Sequence, residues 1–360
     1  MSKSPRKRVL IVDDAVVVRK MLCDGIAQDA DLEVAGSAAN GRIALAKLQA
    51  LNPDIVVLDV EMPEMDGLET VRELRKMGER VPVIMFSTLT ERGASITLEA
   101  LALGATDYVS KPSNLNVAAT SEVIARELIP RIRAICHISD GIVTAPTTPP
   151  PALKPKMGAP RPSLPVQVVT IGVSTGGPDA LARVIPLLPA NLPVPVVVAQ
   201  HMPPIFTALL ASRLSCKAAL PVKECVSGEP LLPGSVVIAP GDFHMVASQE
   251  EGVIRLRTHQ GPKENFCRPS VDVLFRSIAN VYGGRVLGVV LTGMGQDGLK
   301  GCEQLRSLGA RIYVQDEASS VVWGMPGFVA RAGLADKILP LDRIGAEITR
   351  ATLHSAASGS

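Results

Sequence analysis

The chain has 360 residues, 47% of them hydrophobic and 20% charged, which is enough for two or three domains with buried cores. A net charge of +2 and an aromatic content of 3% argue against a strongly basic or base-stacking surface for nucleic acid. Six cysteines without a C-x-x-C pair argue against zinc and disulfide frameworks and favour a reducing, cytoplasmic compartment. We find no signal peptide and no apolar run of about 18 residues, so no membrane span is predicted.

Strands and helices alternate strictly through the first part of the chain. The predicted strands are residues 8–14, 32–38, 53–59, 81–86 and 107–110. The predicted helices are residues 16–27, 41–51, 68–77, 98–103 and about 116–135. This alternation predicts an α/β fold, a doubly wound parallel sheet with right-handed crossovers.

Polar side chains follow the predicted strands at their carboxyl ends, where ligands bind in such sheets. They are Asp13, Asp14, Asp59, Ser87 and Lys111. Carboxylates crowded at one edge repel one another unless a hard cation joins them, and all-oxygen ligands suit Mg²⁺. Lys111 supplies a positive charge, and Ser87 supplies a hydroxyl that can hold a phosphoryl oxygen. We therefore favour a functional site over the alternative that these polar residues only terminate the strands.

This set of residues resembles the receiver domain of two-component response regulators, over roughly residues 7–130. The resemblance implies a flavodoxin-like fold in which Asp59 accepts a phosphoryl group from a chemotaxis histidine kinase. It implies that Mg²⁺ is bound by Asp13, Asp14, Asp59 and the backbone carbonyl of Glu61. It also implies a phosphorylation-sensitive switch made of Ser87, Lys111 and Tyr108. Thr88 lies beside Ser87 and is the alternative hydroxyl, although strand alignment favours Ser87.

Residues 131–165 form a predicted linker, because prolines cluster between Pro146 and Pro165 and prevent regular hydrogen bonding. Such a segment is an extended, semi-rigid spacer. A proline-rich ligand for a binding module is the alternative, but a clear P-x-x-P core with flanking charges is missing.

A second α/β domain is predicted over residues 166–353. Its predicted strands are residues 166–171, 194–199, 234–239, 285–291 and a last strand at 311–315, with a hairpin of residues 243–247 and 253–256. Its predicted helices are residues 178–183, 206–214, 270–281 and 299–308. The pattern predicts a Rossmann-like, mostly parallel sheet with a β-hairpin.

The stretch Gly172-Val173-Ser174-Thr175-Gly176-Gly177 joins the first strand of this domain to its first helix. It matches G-x-S-x-G, a turn that exposes a serine hydroxyl at a sheet edge. Helix N-terminal amides close to such a serine can stabilise a developing oxyanion. A glycine-rich loop that binds phosphate or only turns the chain is the alternative interpretation.

A serine nucleophile needs a base within hydrogen-bond reach and an acid that orients the base. His201 and Asp297 follow other predicted strands of the domain and are the candidates. His244 is the competing base. The remaining histidines fit less well, since they lie before the linker, in a charged loop and in the polar tail: His137, His259 and His354.

The chain order Ser, His, Asp differs from the Ser, Asp, His order of ordinary α/β-hydrolases. Three motifs, Gly-Val-Ser-Thr-Gly-Gly-Pro, Gln-His-Met-Pro and Leu-Thr-Gly-Met-Gly-Gln-Asp-Gly, resemble the catalytic domain of chemotaxis protein-glutamate methylesterases, the CheB family. The resemblance implies that Ser174 is the nucleophile, His201 the general base and acid, and Asp297 the orienting acid. It implies a pocket lined by Thr175, Gly176 and Met294, and no metal at this site.

The implied reaction is hydrolysis of glutamate γ-methyl esters on methyl-accepting chemoreceptors, with deamidation of receptor glutamines by the same acyl transfer. The enzyme would be cytoplasmic, peripheral to membrane receptors and without a nucleic-acid partner. The resemblance also implies that the unphosphorylated receiver hinders the esterase. A response regulator whose second domain only docks to receptors is one rival hypothesis. A DNA-binding output domain is another, but it requires a basic recognition helix, which we do not find after the linker.

Overall fold

A computed structural model describes residues 5–112, 117–138 and 164–357, and its contacts divide the chain into two units, Met1–Val143 and Thr144–Ser360. Each unit has its own parallel sheet. Most of the predicted proline-rich linker, residues 139–163, lies outside the described residues, so its extended form stays a prediction.

The first unit alternates strands and helices as predicted. Its strands are β1 (Lys7–Val12), β2 (Leu32–Ala38), β3 (Ile55–Asp59), β4 (Val83–Ser87) and β5 (Asp107–Ser110). Its helices are α1 (Val16–Ile26), α2 (Gly41–Leu51), α3 (Gly67–Lys76), α4 (Glu91–Ala102), α5 (Val117–Val123) and α6 (Ile129–Ile135), with a π-helical segment at Ile124–Leu128. The last helical run thus continues beyond residue 130, the predicted end of the domain.

The strands of the first unit are parallel neighbours in the order β2-β1-β3-β4-β5. Strands β3 and β4 are buried along their whole length, which is typical of a sheet covered on both faces. The chain reverses its direction of winding between β1 and β3, so their carboxyl ends border the crevice where ligands bind in this topology. The doubly wound, flavodoxin-like order predicted for this unit is confirmed.

Helix α4 begins seven residues before the predicted helix at 98–103. The Thr90 side chain accepts a hydrogen bond from the Gly93 amide at 3.0 Å and caps the first turn. The first turn, Glu91-Arg92-Gly93, is polar and contains glycine, so its sequence lacks the apolar spacing by which helices are recognised. The cap and the packing of the helix against the sheet outweigh this weak local preference.

The second unit also alternates strands and helices. Its strands are β6 (Val168–Val173), β7 (Val196–Gln200), β8 (Val222–Glu224), β9 (Val236–Ile238), β10 (His244–Glu250), β11 (Val253–His259), β12 (Val286–Val290), β13 (Arg311–Gln315) and β14 (Lys337–Leu339). Its helices are α7 (Gly177–Val184), α8 (Phe206–Ser215), α9 (Val271–Tyr282), α10 (Leu299–Ser307), α11 (Met325–Arg331) and α12 (Leu341–Ala357), with a 3₁₀ turn at Ile185–Leu187.

The main sheet of the second unit is parallel in the order β14-β13-β12-β6-β7-β9-β8, and β10 pairs with β11 as an antiparallel hairpin. Strands β6, β7 and β12 are buried throughout and lie next to one another at its centre. Their carboxyl ends therefore meet at one edge of the sheet. The predicted Rossmann-like sheet with a hairpin is confirmed.

The prediction that Arg311–Gln315 is the last strand is wrong. Strand β14 pairs with it in parallel, and α11 and α12 complete the unit. Strands β8 and β14 have three residues each, too few to show a period. His354, predicted to lie in a polar tail, belongs to α12. Among the described residues, no helix combines the length and the apolar character needed to cross a bilayer.

Candidate active site and receiver site

The residues of the predicted triad lie at the carboxyl ends of adjacent strands. Ser174 follows β6, His201 follows β7, and Asp297 lies in the loop after β12. Backbone hydrogen bonds tie these ends together: the His201 amide donates to the Val173 carbonyl at 3.1 Å, and the Ser174 amide donates to the Thr292 carbonyl at 3.0 Å. Sheet order thus brings together three segments that are far apart in sequence.

The turn that carries Ser174 is fixed by glycine at two points. Gly176 has φ of 75°, a left-handed conformation that glycine adopts without steric cost, and α7 begins immediately after it. A Cβ on Gly293 would lie 2.8 Å from the Cβ of Ser174, so the loop after β12 can come this close to the serine only because residue 293 is glycine. Ser174 itself is half-buried, so its side chain is partly accessible to solvent.

His201 and Asp297 form a hydrogen-bonded pair. Their atoms Nε2 and Oδ2 are 2.8 Å apart, and both side chains are largely buried. Asp297 also accepts hydrogen bonds at the amino end of α9 and from neighbouring side chains. The other donors are the amides of Val271, Asp272 and Gly298, the hydroxyl of Ser270 and the side-chain amide of Asn265. So many donors, together with the helix N-terminus, fix the orientation of the carboxylate and stabilise its ionised form.

These contacts set the charge of the pair. Burial alone would raise the pKa of Asp297, but the hydrogen bonds from His201 and the backbone amides hold it well below its usual range. Burial alone would lower the pKa of His201, but the charge of Cys267 and the hydrogen bond to Asp297 raise it to about 10. Ionised Asp297 accepts a hydrogen bond from the N–H at Nε2, so Nδ1 is the nitrogen left for proton transfer.

Cys267 contacts that second nitrogen. Its Sγ lies 3.4 Å from Nδ1 of His201, and the residue is only partly buried. Asn265, two residues earlier, bridges Asp272 and Asp297 at 2.9 and 2.8 Å. Neither residue belongs to a recognisable motif, and both reach the site through tertiary contacts of a loop. The sequence analysis therefore missed them.

Ser174 and His201 are both described, and no hydrogen bond joins the serine hydroxyl to the imidazole in this part of the structure. Gln200 holds the serine backbone instead, since its Nε2 donates to the Ser174 carbonyl at 3.1 Å. Catalytic hydrogen bonds are often long or poorly aligned before substrate binds. The structure places the serine at the end of the strand next to that of His201 but does not connect its hydroxyl to the base.

His244, the competing base, has its ring in a structural role. Its Nε2 contacts the Pro262 carbonyl at 2.9 Å, and its Nδ1 accepts a hydrogen bond from the Ser270 amide at 3.2 Å. The ring is buried, and this burial lowers its pKa. Both nitrogens are bonded to backbone, so His244 has no free nitrogen with which to serve Ser174.

The predicted pocket residues lie around the serine turn. Thr175 is buried, and its carbonyl accepts a hydrogen bond from the Thr292 hydroxyl at 2.9 Å. Met294 is half-buried and follows Gly293, the glycine that touches Ser174. Together with Gly176, these residues belong to the two loops that meet at the serine. Their contact with a substrate stays a prediction.

The predicted receiver site assembles at the crevice between β1 and β3. Lys111 bridges two carboxylates, with its Nζ 2.9 Å from Asp13 and 2.8 Å from Asp59. Asp13 and Asp59 are buried, and Asp14 beside them is exposed. Each of these three acids offers an oxygen within 4.8 Å of the others. An all-oxygen cluster that is open on one side fits Mg²⁺ with retained water ligands.

Asp59 has few hydrogen-bond donors for a buried carboxylate. It accepts from the Val60 amide at 2.7 Å and from Lys111. Burial raises the pKa of Asp59 to about 6, and the nearby charge of Asp13 adds to this rise, while Lys111 opposes it. The oxygens of Asp59 are thus held by a single lysine and one amide.

The remaining predicted switch residues lie next to this cluster. Ser87 is buried at the end of β4, where its carbonyl accepts a hydrogen bond from the Lys111 amide at 2.6 Å. Thr88, the alternative hydroxyl, is half-buried and lies near Thr90, with 3.3 Å between the hydroxyl oxygens. Tyr108 is buried in β5, and Glu61 lies in the exposed turn after β3. Mobility of Tyr108 and ligation by the Glu61 carbonyl stay predictions.

Comparisons with known proteins agree with the two predicted domains. Residues 169–348 match the family model described as CheB methylesterase, and residues 9–120 match the response regulator receiver domain. The chain is 49% identical over 350 residues to a protein-glutamate methylesterase/protein-glutamine glutaminase of Trichodesmium erythraeum, covering 96% of this chain and 99% of the relative.

The chain belongs to the CheB methylesterase family. A relative of the same name from a Nocardioides species is 50% identical over 357 residues, covering 96% of this chain and 95% of the relative. The crystal structure of the Thermotoga maritima CheB methylesterase catalytic domain is 42% identical, with a TM-score of 0.51, and covers 52% of this chain and 99% of that one. The prediction of a CheB-type methylesterase domain that follows a receiver domain along the chain is thus confirmed.

Proposed function

We propose that the second unit hydrolyses glutamate γ-methyl esters of methyl-accepting chemoreceptors with Ser174, His201 and Asp297. The observation that supports this most is the 2.8 Å hydrogen bond of His201 with Asp297 at the strand ends that adjoin Ser174. Serine hydrolases catalyse many reactions, and membership of the CheB methylesterase family favours the hydrolysis of methyl esters among them. The relatives' name, protein-glutamate methylesterase/protein-glutamine glutaminase, is the basis for the substrate.

In the first half-reaction, the Oγ of Ser174 attacks the ester carbonyl while its proton passes to Nδ1 of His201. Nδ1 is assigned because Nε2 is already bound to Asp297. The carbonyl oxygen becomes an oxyanion close to the start of α7, where the helix presents backbone amides and the positive end of its dipole. The same proton then passes from His201 to the departing methoxide, which leaves as methanol.

In the second half-reaction, His201 removes a proton from water, and the hydroxide attacks the acyl-enzyme. Ser174 takes the proton back as glutamate is released, so the enzyme returns to its starting state. A glutamine side chain passes through the same acyl-enzyme with ammonia as the leaving group. This shared intermediate accounts for both activities in the relatives' name.

We propose further that the receiver controls this activity through phosphorylation of Asp59 by a chemotaxis histidine kinase. Asp13, Asp14, Asp59 and the Glu61 carbonyl would hold Mg²⁺, which neutralises charge on the phosphoryl oxygens when bound. The ion pairs of Lys111 with Asp13 and Asp59 support a role for this lysine in contacting the phosphoryl group. The enzyme would work in the cytoplasm, peripheral to its membrane receptors.

Release of methanol from methylated receptor by wild type and Ser174→Ala tests the serine mechanism. We expect Ser174→Ala to lose on the order of 10⁴-fold or more in turnover, because triad members act as a unit. Circular dichroism checks that the variant is folded. Normal turnover in folded Ser174→Ala would refute the assignment of the nucleophile.

A further inference from the structure

The loop that carries Cys267 contains a tight turn with an unusual residue at its tip. The Glu264 amide donates to the Cys267 carbonyl at 3.2 Å, and the Cys267 amide donates to the Glu264 carbonyl at 2.9 Å. Both central residues have positive φ, 51° at Asn265 and 63° at Phe266. These angles describe a type I′ turn, which strongly favours Asn-Gly. Asn265 satisfies the preference, whereas Phe266 occupies the position that favours glycine.

The Phe266 side chain gains no burial in return for this conformation. It is 96% exposed, although aromatic side chains gain more from burial than most others. Folding alone therefore favours a different residue at position 266, on both backbone and side-chain grounds. Residues held in sparsely populated backbone conformations concentrate at sites that bind or react.

The turn is held in place on both sides of Phe266. Before it, Glu264 forms two hydrogen bonds with Arg276 of α9, at 2.7 and 2.6 Å, and Asn265 donates to Asp297. After it, Cys267 contacts Nδ1 of His201 at 3.4 Å. The neighbours of Phe266 thus touch the orienting acid and the base, and the aromatic ring stands in solvent at the margin of the catalytic site.

A glutamyl ester on a protein can reach Ser174 only if the polypeptide that carries it lies across the margin of this site. We propose that Phe266 is a specificity-determining residue, an aromatic anchor that contacts apolar side chains of the substrate polypeptide beside the ester. The proposal rests on the proposed function, since it concerns the same site and the same class of substrate. Aromatic residues commonly supply the strongest contacts of protein interfaces.

A second strained apolar residue lies near the base. Ile205, four residues after His201, has φ of 73° and is 42% exposed. A positive φ is a genuine outlier for a β-branched residue. Two loops that reach His201 thus each present an exposed apolar side chain from a disfavoured backbone conformation. This supports a site that meets a polypeptide rather than a small polar ester.

The test measures kcat and KM of the full chain with methylated receptor in membranes for wild type, Phe266→Ala and Phe266→Tyr. We expect KM to rise about tenfold in Phe266→Ala with kcat within about twofold, because loss of a contact made equally in ground and transition states raises KM alone. Phe266→Tyr keeps the aromatic surface and should restore KM. The control is Leu232→Ala, since Leu232 is also exposed but lies before the amino end of β9, at the opposite edge of the sheet.

An unchanged KM in Phe266→Ala overturns the proposal. So does a fall in kcat at constant KM, which would mean that the turn acts only through His201 and Asp297. Ser174→Ala, assayed in parallel, separates the two hypotheses. If Ser174→Ala keeps normal turnover, the proposed function fails. If Ser174→Ala is inactive and Phe266→Ala matches wild type, only the anchor fails.

Phe266→Gly distinguishes an anchor from a structural residue. Glycine adopts positive φ without steric cost, so the urea midpoint of unfolding should rise while KM increases as in Phe266→Ala. A lower midpoint in Phe266→Gly would show that the ring stabilises the fold, and this result would also overturn the proposal.

Discussion

Two buried aspartates, Asp59 in the receiver and Asp297 in the esterase, occupy similar positions in their sheets and have opposite electrostatic surroundings. Both lie at carboxyl ends of parallel strands, and both contact a basic side chain at 2.8 Å. Asp59 has one amide and one lysine as donors, and burial raises its pKa to about 6. Asp297 has six donors, and they hold its pKa well below the usual range.

The difference shows that the supply of donors, more than position in the sheet, decides what a buried carboxylate can do. The many donors of Asp297 leave its oxygens no freedom, so it can orient and stabilise His201 without reacting. The oxygens of Asp59 face other carboxylates across a single lysine, so they remain open to a cation and to a phosphoryl group. The amino end of α9 beneath Asp297 accounts for much of the contrast, since Val60 is the only residue among those described whose backbone amide donates to the Asp59 carboxylate.

The largest effect that this comparison predicts is for Asp297→Asn. An uncharged amide leaves the imidazolium without its counter-charge and can hold the wrong tautomer, so we expect kcat to fall by on the order of 10⁴. Asp59→Asn is the matched change and should leave the esterase activity of the unphosphorylated chain within about twofold. Steady-state hydrolysis of methylated receptor measures both.

Equal losses in Asp297→Asn and Asp59→Asn would contradict the division of roles between the two acids. Denaturant unfolding of both variants is the control, because an amide nitrogen placed among the backbone donors of Asp297 also weakens the fold. A folded Asp297→Asn with normal kcat would remove Asp297 from the mechanism.

Much of this arrangement can be predicted from the sequence, because the ends of its apolar runs show where the strands end. Apolar runs locate β1, β3, β6, β7 and β12, and parallel topology requires that the polar residues after them share an edge. Asp13, Asp59, Ser174 and His201 are found in this way. The pairing of His201 with Asp297, across 96 residues, follows from the adjacency of β7, β6 and β12.

The residues that sequence reasoning missed lie in loops whose course depends on tertiary contacts. Asn265 and Cys267 reach the triad because a turn is held on α9 by the Glu264–Arg276 pair. No periodicity or spacing reports such a contact. The short strands β8 and β14 escaped prediction for a related reason, since three residues acquire strand geometry from their neighbours and have little preference of their own.

A smaller effect is predicted when the receiver is removed. If the unphosphorylated receiver hinders the esterase, a fragment starting near Pro165 should hydrolyse methylated receptor about tenfold faster than the unphosphorylated whole chain. A bias of only ~1.4 kcal/mol produces such a change. The fragment should also ignore a small phosphodonor supplied with Mg²⁺, whereas the whole chain should respond to it.

Asp59→Ala in the whole chain is the control for that experiment, with low basal activity and no response to phosphodonor. A fragment that is no faster than the unphosphorylated chain would rule out inhibition by the receiver. The receiver would then have to stimulate the esterase directly or recruit it to its substrate.

The smallest effect concerns Cys267 and the protonation of His201. His201 accepts the serine proton only as neutral imidazole, and its pKa of about 10 means that the neutral form increases tenfold per pH unit between about pH 7 and pH 9. We expect kcat/KM to rise with pH over this range. Because the charge of Cys267 raises the pKa of His201, Cys267→Ser should move the rising limb to lower pH and increase kcat/KM at pH 7 by less than about tenfold.

The pH profile of kcat/KM separates this role from simple packing, since loss of packing lowers the whole curve without moving it. Cys216→Ser, which changes an exposed cysteine, is the matched control and should leave the profile where it is in wild type. If kcat/KM rises over the same pH range in Cys267→Ser as in wild type, then Cys267, whose Sγ lies 3.4 Å from Nδ1, does not raise the pKa of His201. Asp297 alone would then set the basicity of His201, and the contrast between the two aspartates would account for the whole electrostatic difference between the sites.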